Sequence, residues 1–273
     1  FRGKKLLLLL TLAYTIGVST LLFQTLTNNP ILTPSILGFD SLYLLLQTIL
    51  VFLLGGLGFT QLPIANKFAF ETLLMLGAAL LLFRTLTKDN ADIARMLLIG
   101  VVFGVFFRSV NNLLQRMIDP EEFAVAQSSS FASFNNANPT LLTIGIIIAL
   151  LSSIWIWTQR HKLDVLMLGK HKAIGLGINY NRFSHQLLIC CALLVSVSTA
   201  LVGPILFLGL LVCAIVNAIS PTMQHAIRIP LTFIISAITL VLGQAVFEQL
   251  FKLQGVLSVV IEFLGGIVFI YLM

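Results

Sequence analysis

From Leu6 to Thr27 the chain runs without a charge or a proline, and the run is as long as a bilayer is thick. A hydrocarbon core of about 30 Å takes about 20 helical residues. Such a stretch has two fates: the deep core of a very large soluble domain, or lipid. Composition decides between them. The chain is 58% hydrophobic and 10% charged, where soluble domains carry roughly 25% charged residues. Too few polar side chains remain to cover a water-soluble core of this size, so the fold expected is an all-α bundle that crosses a membrane repeatedly.

Punctuation along the chain sets the spans. The first run stops at Asn28-Asn29-Pro30, and Pro34 follows, so helix cannot continue there. Further spans are expected from Ile36 to Phe59, between Lys67 and Arg84, and from Ile93 to Asn112. A polar stretch, residues 113–140, comes next as an outer loop. Its Ser- and Asn-rich part from Gln127 to Asn138 is expected to be solvated or re-entrant, because lipid does not tolerate irregular backbone. A fifth span covers Leu141 to Trp157. The long uncharged run from Gln186 to Gln224 holds two passes broken near Gly203-Pro204, and the last two spans cover Ile229 to Phe247 and Val256 to Met273. The expectation is therefore nine spans in one transmembrane domain, residues 1–273. The chain starts at Phe1 without Met, and further residues are expected before it.

The formal charge of +6 reports topology. Nucleic-acid binding would cluster cations on one face, whereas here they sit at span ends. Placing residues 159–185 in the cytoplasm puts Arg84, Lys88, Arg95, Arg160, Lys162, Lys170, Lys172, Arg182 and Arg228 inside, and Arg2, Lys4, Lys5, Lys67, Arg108, Arg116 and Lys252 outside. The bias has the positive-inside sign. Val18-Ser19-Thr20 and Val197-Ser198-Thr199 form a faint echo between oppositely directed spans, as inverted repeats in transporters do. Cys190, Cys191 and Cys213 lie in apolar runs without metal-ligand spacing and read as small buried hydrophobes.

The inside segment from Leu163 to Ile178 is the most informative. Read alone, it offers two short helical pieces punctuated by Gly169, Gly175 and Gly177, with Leu166, Leu168, Ala173 and Leu176 as apolar knobs in a polar loop. Either these leucines pack beneath the bundle or they insert into a partner protein.

This segment resembles the coupling-helix loop of the permease family that imports iron-siderophores, haem and cobalamin in ABC transporters, approximately L-x-x-L-S-L-G-E-E-A-A-x-x-L-G-[VI]. Leu163, Leu166, Leu168, Gly169, Ala173, Leu176, Gly177 and Ile178 fall on it. Gln24 to Gly38, with Asn29, Pro30, Pro34 and Gly38 as its turn residues, is similar to the family's Q-x-x-x-x-N-P-L-A-x-P-x-x-L-G. Gly203 to Leu210, opening on Gly203-Pro204, is similar to G-P-I-x-F-x-G-L, and Asp119-Pro120-Glu121-Glu122 to an acidic outer-loop stretch. The resemblance covers essentially the whole chain, beginning just before the family's second of ten helices. Three departures stand out. Lys170 and His171 replace two carboxylates, Cys213 to Asn217 replaces Pro-His-x-x-Arg, and Asp40 replaces a small residue.

The resemblance implies a type II ABC importer permease bundle. Its coupling residues would be Leu166, Leu168, Gly169, Ala173, Leu176 and Gly177, receiving ABC ATPase subunits that are separate chains. It also implies a second permease, here a related heterodimer partner, an extracytoplasmic siderophore-binding protein, and a ferric, catecholate-like siderophore as cargo through a bacterial cytoplasmic membrane. No cofactor is implied. Arg2 and Lys5 resemble the basic pair that receives the binding protein; their other reading is interfacial anchoring. Arg108, Asn111 and Asn112, near the outer end of the fourth span, stand either at the cargo entrance or, for Arg108, in snorkelling contact with the interface. Asp40, Glu248 and Glu262 are acidic oddities with no assigned role.

Other classes fare worse. No G-x-x-x-x-G-K-[ST] phosphate loop, H-E-x-x-H zinc motif or G-x-S-x-G elbow occurs in the sequence. Residues His161, His171, His185 and His225 lack ligand spacing. An ion-coupled secondary transporter would explain the spans and the carboxylates Asp40 and Glu262, but gives no reason for the Leu-Gly loop. A membrane-embedded enzyme has no motif to support it.

Overall fold

The structure, a computed structural model, describes residues 2–87, 93–129, 132, 134, 138–249 and 257–272. Among these it is built of helices: α1 Arg2–Thr27, α2 Phe39–Gln61, α3 Ile64–Thr87, α4 Ile93–Gln115, α5 Pro120–Ser129, α6 Pro139–Leu166, α7 Lys170–Gly175, α8 Tyr180–Val202, α9 Leu208–Ile219, α10 His225–Gln249 and α11 Leu257–Leu272. We call the end carrying α7 the inner end, following the charge bias.

Helix α1 is the axis. It packs on α8, α9, α10 and α6, and 72% of its spanning window is buried, against 17% for α4. Its buried threonines would be liabilities in a dry core, but each closes on its own backbone. The Thr15, Thr20 and Thr25 hydroxyls donate to the carbonyls of Thr11, Ile16 and Leu21 at 2.9–3.0 Å. Around it, Val18, Leu21, Leu22 and Phe23 meet α8 and the start of α2 toward the inner end. Leu8, Leu9 and Leu12 pack with α9 and α10 toward the outer end, in a cluster that Ile261 of α11 completes. The echoed Ser19 and Ser198 stand on neighbouring helices, and the Cys191 thiol of α8 lies 3.5 Å from the Ser19 carbonyl.

Nine spans were expected, and seven of the described helices are long and apolar enough to cross: α1, α2, α3, α4, α6, α8 and α10. Helix α9 has 12 residues, about 18 Å, so it is a half-span. Gly203 to Ile205 before it is buried irregular backbone inside the bundle, a form tolerated only where protein covers it. Described α11 has 16 residues; Val256 and Met273 of that expected span lie outside the described residues, as do Phe1, Lys88 and Lys252.

Two boundaries differ from the sequence expectation. Helix α6 does not stop at Trp157 but runs to Leu166, 28 residues in all. That is about 42 Å, more than lipid needs, so its last turns project beyond the inner face. The first of the two expected helical pieces of the loop is therefore the tail of α6. In the outer loop, Pro120 with Glu121 and Glu122 opens a helix, α5, where only a polar stretch was expected. Pro in the first turn and acids at a helix N-terminus favour that start. Glu122 reaches α2, where Gly55 breaks the helix at φ 71°, and its carboxylate accepts the Gly56 N–H at 3.1 Å. Beyond α5, Ala132 and Phe134 are buried against the α1 and α10 cluster; residues 130, 131, 133 and 135–137 of that stretch lie outside the described residues.

Candidate functional site

The inner-end segment after α6 is held on two sides. On one, Leu163 and Leu166 of α6 and Phe183 and Leu187 of α8 share the inner core, and Ala173 is fully buried. On the other, Asp164 turns away from that core toward α10. Its Oδ1 accepts the His225 backbone N–H at 2.7 Å and stands 2.7 Å from His225 Nδ1, while His225 Nε2 lies 2.8 Å from the Thr25 hydroxyl of α1. With Nδ1 donating to the carboxylate, the neutral ring leaves Nε2 as an acceptor, and the one Thr25 hydroxyl proton is shared between Nε2 and the Leu21 carbonyl. One buried imidazole thereby ties α1, α6 and α10 together. Arg228, one turn along α10 and also buried, donates to the Asn217 side chain of α9 and meets the Met167 sulfur at 3.7 Å.

The turn itself follows from backbone chemistry. Gly169 sits at φ 95°, which L side chains rarely adopt, and a Cβ there would meet nothing within 4 Å. Glycine is required by conformation and not by space. Helix α7 then closes with the Gly177 N–H on the Ile174 carbonyl at 2.9 Å and the Ile178 N–H on the Ala173 carbonyl at 3.1 Å. With Gly177 at φ 85°, this is the Schellman pattern of a helix C-terminus.

The six residues singled out from sequence thus divide. Leu166 and Ala173 are anchors inside the bundle. Gly169 and Gly177 set the turns. Leu168 and Leu176 are 52% and 62% exposed, and Ile174, not singled out, joins them at 51%. Three apolar side chains stand in water beside Lys170, His171 and Lys172 on a braced platform. Sequence reasoning also passed over Asp164, His225 and Arg228 as structural residues. The signal was present: Asp164 is the one carboxylate between Gln159 and His185, and a carboxylate in a basic, partly apolar loop needs a partner.

The turn residues after α1 are brought together. Gln24 donates to the Pro30 carbonyl, Asn29 accepts the Ile31 N–H at 3.0 Å, and a 3-10 turn covers Pro34–Leu37. Gly38, at φ 87°, lies against α4 so closely that a Cβ would fall 2.8 Å from the Gly104 Cα. Gly100, one turn away, would meet Leu37 at 2.7 Å. At the second break, the Gly203 N–H caps α8 on the Thr199 carbonyl at 2.7 Å, and Pro204 is buried beyond it.

The remaining candidates stand apart from the platform. Lys5 is half-buried at the outer end of α1; the Arg2 and Glu248 side chains lie outside the described residues. On α4, Asn111 is buried while Arg108 and Asn112 are exposed. Asp40 is buried near the head of α2, and Glu262 is half-buried on α11. A further buried carboxylate, Glu71, accepts from Gln47 at 2.7 Å with Lys67 at 4.0 Å, joining α2 to α3.

A helical bundle with buried re-entrant breaks and a glycine-framed apolar platform at its inner end defines a membrane permease of the type II ABC importer fold. The solved structure of a metal-chelate type ABC transporter in an inward-facing conformation matches over 99% of this chain and 86% of its own, with a TM-score of 0.86 at 21% identity. The chain belongs to the FecCD transport family, whose model matches residues 1–273. It is 47% identical over 276 residues to the petrobactin import system permease protein YclO of Bacillus subtilis, covering 100% of this chain and 87% of the relative. It is 34% identical to the petrobactin import system permease protein FatC of Bacillus anthracis, covering 93% of this chain and 72% of that one. It is accordingly a multi-pass permease of the cytoplasmic membrane, a transport component.

Proposed function

We propose that this chain is one permease half of a binding-protein-dependent importer that carries a ferric siderophore of catecholate type inward, driven by ATPase subunits on separate chains. The observation that carries the reading is the platform: Leu168, Ile174 and Leu176 exposed on a turn whose neighbours are locked to α1, α6, α8 and α10. Exposed apolar side chains on a rigid base suit a partner's groove, and a push there reaches the axis helix through His225. Petrobactin import by two relatives supports a siderophore cargo. Residues 159–185 are read as the coupling loop, residues 113–140 as the outer loop, and the whole as one transmembrane domain.

The partners follow from the same reading. ATPases meet the platform, a siderophore-binding protein meets the outer end at Arg2 and Lys5, and a related permease completes the pathway. The bareness of α4, with Arg108 and Asn112 exposed, supports a covering partner on that helix, since an arginine facing lipid is costly. An anionic ferric catecholate entering beside α4 would then meet Arg108.

Reconstituted in vesicles with its permease partner, ATPases and binding protein, the assembly is expected to take up ferric petrobactin only when ATP is supplied to the ATPase side. Uptake that follows an ion gradient without ATP would overturn the reading.

A further inference from the structure

Two adjoining hollows lie between α6 and α8 at the inner end, and their chemistry is opposite. The first, about 380 Å³, is lined by Gln159, Lys162, Asn179, Arg182 and Gln186 over the rings of Trp155 and Phe183. The second, about 330 Å³, shares Trp155 and Gln186 and runs into the bilayer between Ile148, Leu151, Ile189 and Leu193. A basic, hydrogen-bonding chamber therefore opens directly into an apolar slot.

Electrostatics make the chamber specific for anions. Lys162 and Arg182 are both exposed at its rim. The one carboxylate of the surrounding segment, Asp164, faces away and is occupied by His225. Nearby Arg160 is drawn off, with its guanidinium 4.8 Å from the Trp157 ring, so two cations remain at the rim. The slot from Ile148 to Trp155 along α6 is about 10 Å long, a large part of the roughly 15 Å that one leaflet provides. Trp155 at the junction sits where interfacial tryptophans belong.

We propose that this double hollow is a binding site for an anionic phospholipid of the inner leaflet, its phosphate held by Lys162 and Arg182 and an acyl chain laid between α6 and α8. Basic pockets between spanning helices on the cytoplasmic side suit lipid head groups, and the slot distinguishes a lipid from an acidic protein segment, which has no use for an apolar channel opening into the bilayer. The site borders the coupling turn through Gly177 and Ile178, so an occupied site would brace the platform from its lipid side.

Native mass spectrometry of the full chain with its assembled subunits tests this, with dioleoyl-phosphatidylglycerol and dioleoyl-phosphatidylcholine as probes. The wild type is expected to retain phosphatidylglycerol preferentially, less so as salt rises. K162E with R182E is expected to lower that retention about tenfold or more, with phosphatidylcholine unchanged. I189W, which fills the slot and leaves both cations, is expected to lower it as well. Should the double reversal fail to fold, K162Q with R182Q is read the same way. Three results would overturn the proposal: retention of phosphatidylglycerol unchanged in the charge variants, retention unchanged in I189W, or displacement of the lipid by glycerol phosphate alone.

Discussion

At the scale of single residues, the buried contact of His225 with Asp164 and Thr25 is the most informative, because it joins three helices through two hydrogen bonds on one ring. Removing Asp164 leaves the buried ring N–H of His225 without its acceptor, a cost of about 1–3 kcal/mol; removing the ring leaves a void where three helices meet, while Asp164, 30% exposed, still accepts the backbone N–H. H225A and D164A are each expected to lower the stability of the purified permease by about that amount. The double variant should cost clearly less than their sum, since both break one network. Thermal unfolding in detergent measures it, and strict additivity would mean that the two side chains act independently. The contact also shows what the sequence held back. His225 and Asp164 stand 61 positions apart, and nothing in their spacing announces a pair. Gly169 and Gly177, by contrast, were legible, because a local turn is written in adjacent letters.

At the scale of elements, helix–helix contact in lipid depends on close backbone approach, since apolar side chains gain nothing over lipid tails. Gly100 and Gly104 on α4 receive the turn that ends at Gly38. G38A meets both a backbone clash at 2.8 Å and a strained φ of 87°. G169A meets only a φ of 95° with open space around it. We expect G38A to destabilise the bundle by more than 3 kcal/mol, and G169A by about 1–2 kcal/mol, within the usual cost of such backbone strain. Unfolding midpoints check the order. Most spans were readable from apolar run length and the breaks from proline and glycine, but run length did not show that α9 is a half-span of 12 residues. The tail of α6 was not readable, because beyond the bilayer a helix is decided by what it packs against, whereas the start of α5 was written in Pro120, Glu121 and Glu122 and was overlooked. Leu163 and Leu166 look no different in sequence from Leu168, yet two are core and one is surface.

At the scale of the molecule, the proposed function makes the chain half of a gate worked from both ends. At the outer end, Arg2→Glu with Lys5→Glu is expected to weaken docking of the binding protein several-fold and to change its salt dependence, because exposed charges steer association more than they hold it. Association rates at two ionic strengths check this, and unchanged docking at low salt would remove these residues from the interface. At the inner end, the proposed coupling role requires that Leu168 and its neighbours transmit ATP-driven motion without holding the fold together. Substrate-stimulated ATP hydrolysis by the reconstituted assembly carrying Leu168→Asp tests it most directly. The side chain is exposed, so the variant is expected to keep the wild-type unfolding midpoint while stimulation by loaded binding protein falls at least about tenfold. Stimulation that persists at the wild-type level in a folded Leu168→Asp assembly would contradict the account.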